Sequence, residues 1–221
     1  MKRKIFAICL VAILGITAIA GATLAYFTDK DTADNVFTIG NVDIKLLESK
    51  LHRDNDKASD DDIIADAEAY QDEYLAEAGK LMVPGRWVKK APYVQNVGTN
   101  AAYVRVTVAV PENVDPLIQI TLYSEGKDAG AFTTSDPVKK DGMIYTAFTF
   151  TEALEPGEVT YYAPFWQFKL DDALDNEDLK GLQGLDVEHI ITVTADAIQS
   201  EGFDSAEKAF AAFDAQYSAN N

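Results

Sequence analysis

Beyond its first 25 residues the chain has no cysteine, because the only one is Cys9. Disulfide staples and thiol nucleophiles are therefore excluded there, and burial must hold the fold together. Histidine is nearly as scarce, with only His52 and His189. Basic residues are few, 19 Lys and Arg against 36 Asp and Glu, for a formal net charge of −17. Such a surface repels nucleic acid and anionic membranes while keeping a chain soluble, and divalent cations or low pH would relax that repulsion. No serine sits in a G-x-S-x-G elbow, which removes support for a serine hydrolase.

Charge is also missing from one long stretch. Lys2, Arg3 and Lys4 precede an uncharged run from Ile5 to Phe27 that ends in small residues, the layout of a secretory signal. Ala20-Gly21-Ala22 and Thr23-Leu24-Ala25 both offer small-x-small sites. Cleavage between Ala25 and Tyr26 is expected, giving residues 1–25 as signal peptide and residues 26–221 as one secreted domain. The competing reading is an uncleaved anchor, since the run is long enough to cross a hydrocarbon layer of about 30 Å. Losing the signal removes Lys2, Arg3 and Lys4 and takes the formal charge from −17 to −20.

What remains is dominated by period-two alternation in short runs bounded by Gly, Pro, Asn and Asp, the signature of strands. Val104, Val106, Val108 and Val110 share one face of a strand that ends at Pro111. Similar runs lie at Phe37–Leu47, Trp87–Val94, Leu117–Tyr123, Met143–Phe150, Val159–Phe168 and His189–Ile198. Without regularly interposed helices they predict a mainly β fold, an antiparallel jelly roll or β-sandwich.

Two helices interrupt the strands. Asp60–Gly79 starts in an acidic run and carries Ile63, Ala67, Tyr70, Tyr74 and Ala78 at helical spacing, within an acidic helical insertion over residues 51–80. A C-terminal helix follows Gly202, with Asp204 and Glu207 at capping-box spacing and Ala206, Phe210, Phe213 and Tyr217 as its apolar stripe. Leu51–Asp62 and Leu170–Asp186 read as solvated Asp-rich loops.

Several blocks carry a family resemblance. Gly21-Ala-Thr-Leu-Ala-Tyr-Phe-Thr-Asp29 runs into Asn35-Val-Phe-Thr-Ile-Gly-Asn-Val-Asp-Ile44. Val83-Pro-Gly85, Val94-Gln-Asn-Val-Gly98, Ala102-Tyr-Val-Arg-Val106, Leu154-Glu-Pro-Gly-Glu158 and the run Ala195–Phe203 follow. The chain resembles the TasA/camelysin group, whose members are exported with a SipW-type signal peptidase. The resemblance implies a jelly-roll subunit of extracellular biofilm-matrix or cell-surface fibres, with self as partner and polymerisation linked to removal of the N-terminal segment. An extended segment freed in this way can pair with an exposed sheet edge of the next subunit. Tyr26–Leu47 is the expected donor, with Tyr26, Phe27, Phe37, Ile39, Val42, Ile44 and Leu46 as its apolar contacts. The same alternation fits an ordinary first strand of the subunit itself.

The name camelysin also implies zinc proteolysis, so the ligands need testing. The usual centre has H-E-x-x-H on one helical face. Here Glu188-His189 has Leu185 where the first histidine belongs, and His52 is remote in sequence. His52 and His189, with Asp54 and Asp56, are weak metal candidates; no catalytic residue and no resident cofactor are expected. The clusters Asp54/Asp56, Asp60–Asp62 and Asp171/Asp172/Asp175 allow calcium without matching an EF-hand. Trp87, Trp166, Tyr161 and Tyr162 suit a sugar-stacking platform, although aromatics in sandwich strands usually belong to the core. The readings therefore stand as a self-assembling matrix protein, a zinc endopeptidase, or a monomeric adhesin or carbohydrate-binding module.

Overall fold

The computed structural model describes residues 28–32, 42–69, 84–122, 130–175 and 191–218, of which 28–32, 122, 217 and 218 by backbone alone. The strands within them are β1 (Thr28–Thr32), β2 (Ile44–Ser49), β3 (Val88–Lys89), β4 (Ala91–Asn96), β5 (Ala102–Pro111), β6 (Ile118–Leu122), β7 (Phe132–Thr134), β8 (Val138–Lys140), β9 (Met143–Phe150), β10 (Phe165–Leu170) and β11 (Thr192–Gln199). All pairings between them are antiparallel. One sheet runs β1-β11-β5-β9-β7, with β8 also on β9; β3-β10-β6 and β2-β4 are two smaller sheets. The mainly β antiparallel fold is as the alternation predicts.

The valine face of β5 explains why the layers meet. Val104, Val106, Val108 and Val110 are buried together with Phe148 and Phe150 of β9 and Val193, Ala195 and Ala197 of β11. Against them pack Ile44 and Leu46 of β2, Val94 of β4 and Phe165 and Phe168 of β10. Alternate residues thus line one shared core between the large sheet and the two small ones. Burial of the larger of these side chains contributes about 2 kcal/mol each.

The opposite faces are covered by helices. Helix α1 is Arg53–Asp56; helix α2 includes residues 60–69. Ile63 and Ala67 pack with Leu47, Ala91 and Tyr93 in a second cluster behind β2 and β4. Helix α3, Ala206–Ser218, lays Ala209, Phe210 and Phe213 on Ile198, with Tyr103 and Phe203 at the margin. The stripes read from the sequence are the docking faces, as far as described: residues 70–79 and the Tyr217 side chain lie outside the described residues.

A serine caps each of the two longer helices. Ser59 caps α2, its hydroxyl accepting from Asp62 N at 3.2 Å while Asp62 Oδ2 accepts from Ser59 N at 2.9 Å. The Ser59 hydroxyl also donates to Asp62 Oδ2 at 2.6 Å, and this bond, with that from Ser59 N, holds the Asp62 carboxyl below its ordinary range. In α3 the cap is Ser205, which accepts from Lys208 N at 3.3 Å, and Asp204 instead takes the Lys208 ammonium at 2.6 Å. The predicted Asp204/Glu207 box is not the one formed.

Other boundaries also move. The run from Val159 to Phe168 is a strand only from Phe165, because Val159 makes a single bridge to Gln95 and Pro164 has no N–H to donate. Trp87–Val94 splits into β3 and β4 at Lys90, whose N–H donates to the Trp166 carbonyl at 3.0 Å. Leu51–Asp62 is no plain solvated loop, since it holds α1, the start of α2 and buried Ala58. β1, β7 and β8 carry no strand signal that alternation exposes.

Candidate functional site: the N-terminal strands and their surroundings

The expected donor segment divides in two. Val42, Ile44 and Leu46 are buried in the chain's own core, Ile44 with 1 % of its surface exposed, and β2 pairs with β4 of the same chain from Ile44–Asn96 to Ser49–Ala91. This half has the geometry of an ordinary internal strand. The other half contains β1, whose five residues pair with β11 in the register Thr28–Ile198, Asp29–Ala197, Lys30–Asp196, Asp31–Ala195 and Thr32–Thr194. Ala25, Tyr26, Phe27, Phe37, Ile39 and His189 lie outside the described residues.

β1 ends the large sheet, and no residue in its sequence, Thr-Asp-Lys-Asp-Thr, is apolar. Its attachment as described is the backbone ladder to β11. On the far side of β11, Asp196 is opposite Arg105 of β5. The Arg105 guanidinium forks onto Asp214 of α3, Nη1–Oδ2 and Nη2–Oδ1 both at 2.9 Å, and gives Asp196 Oδ2 one further bond from Nη2 at 3.0 Å. It also lies over the rings of Phe210 and Phe213, 4.5 Å and 5.4 Å from their centroids. Although burial opposes its charge, the two carboxylates raise the Arg105 pKa above the ordinary value. Two blocks quoted for the resemblance, around Arg105 and Asp196, thus meet under α3.

Asn96 explains a third block. Its side chain is fully buried, donating to the Asn100 and Leu154 carbonyls at 2.9 Å and 2.8 Å and accepting from Gly98 N at 2.9 Å. Its role is to pin the turn after β4 to the 154–158 loop.

A second polar centre, missed by sequence reading, is Arg53. It bonds the Tyr161 carbonyl (3.1 Å), the Thr160 carbonyl (3.3 Å) and Asp60 Oδ1 (2.6 Å), and its guanidinium lies over the Tyr161 ring. Asp54 accepts from the Tyr161 hydroxyl at 3.1 Å. These contacts tie α1 to residues more than a hundred positions away, which no local pattern reveals. Tyr93 sits beneath, its hydroxyl accepting from Arg53 N and donating to the Leu51 carbonyl, both at 3.2 Å; burial pushes its pKa up to about 12.

The described metal candidates, His52, Asp54 and Asp56, do not converge on a zinc centre. His52 Nδ1 caps α1 by accepting from Asn55 N at 3.2 Å, and the ring meets Trp166 edge-on at 5.3 Å. Asp56 accepts from His52 N at 2.8 Å, while Asp54 holds Tyr161. Among the described residues no three His, Cys, Asp or Glu side chains are grouped closely enough to hold a metal ion. Asp60, Asp62 and Asp172 are likewise engaged, by Arg53, Ser59 and Lys169. His52, Asp54 and Asp56 thus do not by themselves form a zinc site, and His189 lies outside the described residues.

The aromatic expectation needs correction. Trp87 is 43 % exposed and Tyr161 52 % exposed, so neither is a core residue. Trp166 packs at the margin of the cluster behind β2 and β4, and Tyr162 at the margin of the main core. Tyr161 and Tyr162 meet edge-to-face at 4.6 Å beside an open cleft of about 740 Å³, whose lining includes Glu152, Glu158, Thr151 and Phe150.

Comparison with known proteins adds one match. The family model described as camelysin metallo-endopeptidase matches residues 1–202. No curated protein and no solved structure matches. The matched span includes residues 1–25, both N-terminal strands, the shared core and the Arg105–Asp196 pair, and stops before α3. By that match the chain belongs to the camelysin family, the TasA/camelysin group.

Proposed function

We propose that the chain is a secreted structural subunit of bacterial biofilm-matrix or cell-surface fibres, assembling with copies of itself through its processed N-terminal strand, and that it is not a peptidase. The supporting observation is β1: a terminal edge strand, starting three residues past the expected cleavage point, bound to β11 over five positions without an apolar residue. Such a strand has no apolar side chain to bury, so replacing it on β11 by the same strand of another copy costs little. A head-to-tail exchange of this kind does not close on itself and propagates as a filament. Processing by a SipW-type signal peptidase would free the strand. The donor is accordingly β1 and the residues before it, whereas Val42–Leu46 belong to the recipient core.

The test is electron microscopy and sedimentation of the chain from Tyr26, beside the same chain with a blocking N-terminal extension. Filaments only with the free terminus are expected; monodisperse monomers in both, with calcium and at mildly acidic pH included, overturn the proposal. Stoichiometric zinc with chelator-sensitive turnover of a casein substrate would overturn its non-enzymatic part.

A second reading, a carbohydrate-binding surface, is favoured by the exposed Tyr161 beside its cleft. Polarised aromatic faces flanked by hydroxyl and carboxylate acceptors suit pyranose rings. A glycan screen with loss of binding in Tyr161→Ala supports it; a blank screen removes it.

A further inference from the structure

The sheet β3-β10-β6 turns one face to the shared core, where Val88 and Phe168 are buried and Ile118 and Ile120 pack against them. The alternate residues therefore lie on its outer face. There Gln167 is paired with Lys89 on one side and Thr121 on the other, and Lys169 with Gln119. Trp87, one step beyond the ladder, is on the same face, for the Lys169 ammonium stands 5.0 Å from the centroid of its ring.

Trp87 is 43 % exposed, yet it is braced from below. Lys169 is 8 % exposed, and Asp172 Oδ2 accepts from its ammonium at 2.7 Å. Asp172 in turn closes on Gly85, where φ is +79° and a Cβ would stand 2.6 Å from Asp172 Oδ1, so glycine is what permits the approach. Gly85, Asp172, Lys169 and Trp87 thus form one series that ends in an exposed indole. Beside it, Gln119 Nε2 donates to Asp171 Oδ2 and Gln167 Nε2 to Thr121 Oγ1, the latter at 3.4 Å. With the nitrogens engaged, the amide oxygens are the groups that the two glutamines have to offer.

Charge narrows the class of ligand. On this face Lys89 and Lys169 balance Asp171 and Asp172, although the chain as a whole carries −17. A charged ligand of either sign finds no complement there, and the flanking amides and hydroxyl are too polar for the apolar centre of a protein interface. A pyranose ring fits both parts: its C–H face packs on an indole, and its rim hydroxyls donate to amide oxygens. Trp87 and Gln119 flank Lys169 at two strand spacings, about 10 Å, which leaves room for more than one ring. We propose that this face binds an uncharged polysaccharide, with Trp87 as the stacking residue, Gln119 and Gln167 as acceptors of its hydroxyls, and Lys169 and Asp172 as positioning residues. None of these lines the Tyr161 cleft, and the site depends neither on that cleft nor on strand exchange.

The probes are cellohexaose and the N-acetylglucosamine hexamer, titrated calorimetrically into the chain from Tyr26, with polygalacturonate as the anionic control. Saturable binding of at least one neutral hexamer is expected, and none of polygalacturonate. Trp87→Ala should weaken that binding about tenfold, with Trp87→Phe retaining part of it, and Gln119→Ala about threefold. Tyr161→Ala should leave it within about twofold, its ring lying outside this face. Asp172→Ala tests positioning: it should weaken binding and raise acrylamide quenching of Trp87 fluorescence, read in a Trp166→Phe chain where Trp87 is the only tryptophan. Circular dichroism checks that each variant is folded. No binding of either hexamer, tighter binding of polygalacturonate, or affinity unchanged in Trp87→Ala overturns the proposal. Loss in Tyr161→Ala with Trp87→Ala unaffected overturns it in favour of the cleft, whereas loss in Trp87→Ala alone supports it and removes the cleft reading.

Discussion

Replacing Arg105 by Met tests whether α3 is pinned by charge or by burial. The Arg105 side chain is 16 % exposed and Asp196 is more buried still, so removing the cation leaves a carboxylate in a site that water scarcely reaches. Breaking a buried pair in this way costs about 3 kcal/mol or more. The stacking of Arg105 on Phe210 and Phe213 adds about 0.5 kcal/mol each, of which the Met side chain recovers part by packing. The Asp214 arm is different: its carboxylate is 56 % exposed, and solvent screening limits that bond to about 0.5 kcal/mol. For a chain of this size about 3 kcal/mol corresponds to a fall in Tm of roughly 6–12 °C. The assay is thermal unfolding of monomeric Arg105→Met, Asp214→Ala and Arg105→Met/Asp196→Leu chains. The expected order is a large loss, a small loss, and recovery of much of the first loss in the double variant, whose apolar pair leaves no charge buried. A shift below about 2 °C for Arg105→Met, or equal losses for Arg105→Met and Asp214→Ala, would refute the reasoning.

Four further outcomes are expected. Ile44→Ala should destabilise the monomer by about 2–5 kcal/mol in denaturant titration, because Ile44 lies in the shared core and is paired to Asn96 in its own chain. Gly85→Ala should lower stability as well: φ is +79° there and a Cβ would stand 2.6 Å from Asp172 Oδ1, so Asp172→Ala should relieve only the part due to contact. Tyr93 is held neutral by burial, with a folded pKa of about 12 against 10.0. Its contribution is complete below pH 10 and is lost as pH rises through about 12, seen as one late phenolate in the near-ultraviolet that Tyr93→Phe removes. Asp62 has the opposite sign: its depressed pKa gives stability that is present above the ordinary carboxylate value of 3.8 and lost as pH falls through the folded value. Ser59→Ala should flatten that acid limb, measured by circular dichroism.

The parts of the fold legible in sequence are those in which one side-chain period meets one buried face. Val104 to Val110 and Met143 to Phe150 alternate over a full strand and are found as β5 and β9, and the Ile63/Ala67 and Phe210/Phe213 stripes are docking faces. β1 and β8 escaped because strands without a buried apolar face have no alternation to detect; all three residues of β8 are exposed. Val159 to Pro164 misled for the converse reason. Apolar and aromatic residues recur there, yet Arg53 takes the Thr160 and Tyr161 carbonyls that a ladder would need. The Arg53 and Arg105 centres depend on pairs 91 to 109 residues apart, so only the fold brings them together. Val42, Ile44 and Leu46 were visible as a strand, but alternation is identical for a strand that pairs at home and one that pairs abroad.

The most direct test of strand exchange uses the absence of cysteine after Cys9. Thr32→Cys and Thr194→Cys introduce thiols at register partners of β1 and β11 in a chain from Tyr26 that has no other cysteine. Filaments of this variant, oxidised and then dissolved in detergent without reductant, should run as a ladder of covalent multimers, because each bond joins two copies. Filaments that yield only monomers closed by an internal bond would contradict the account.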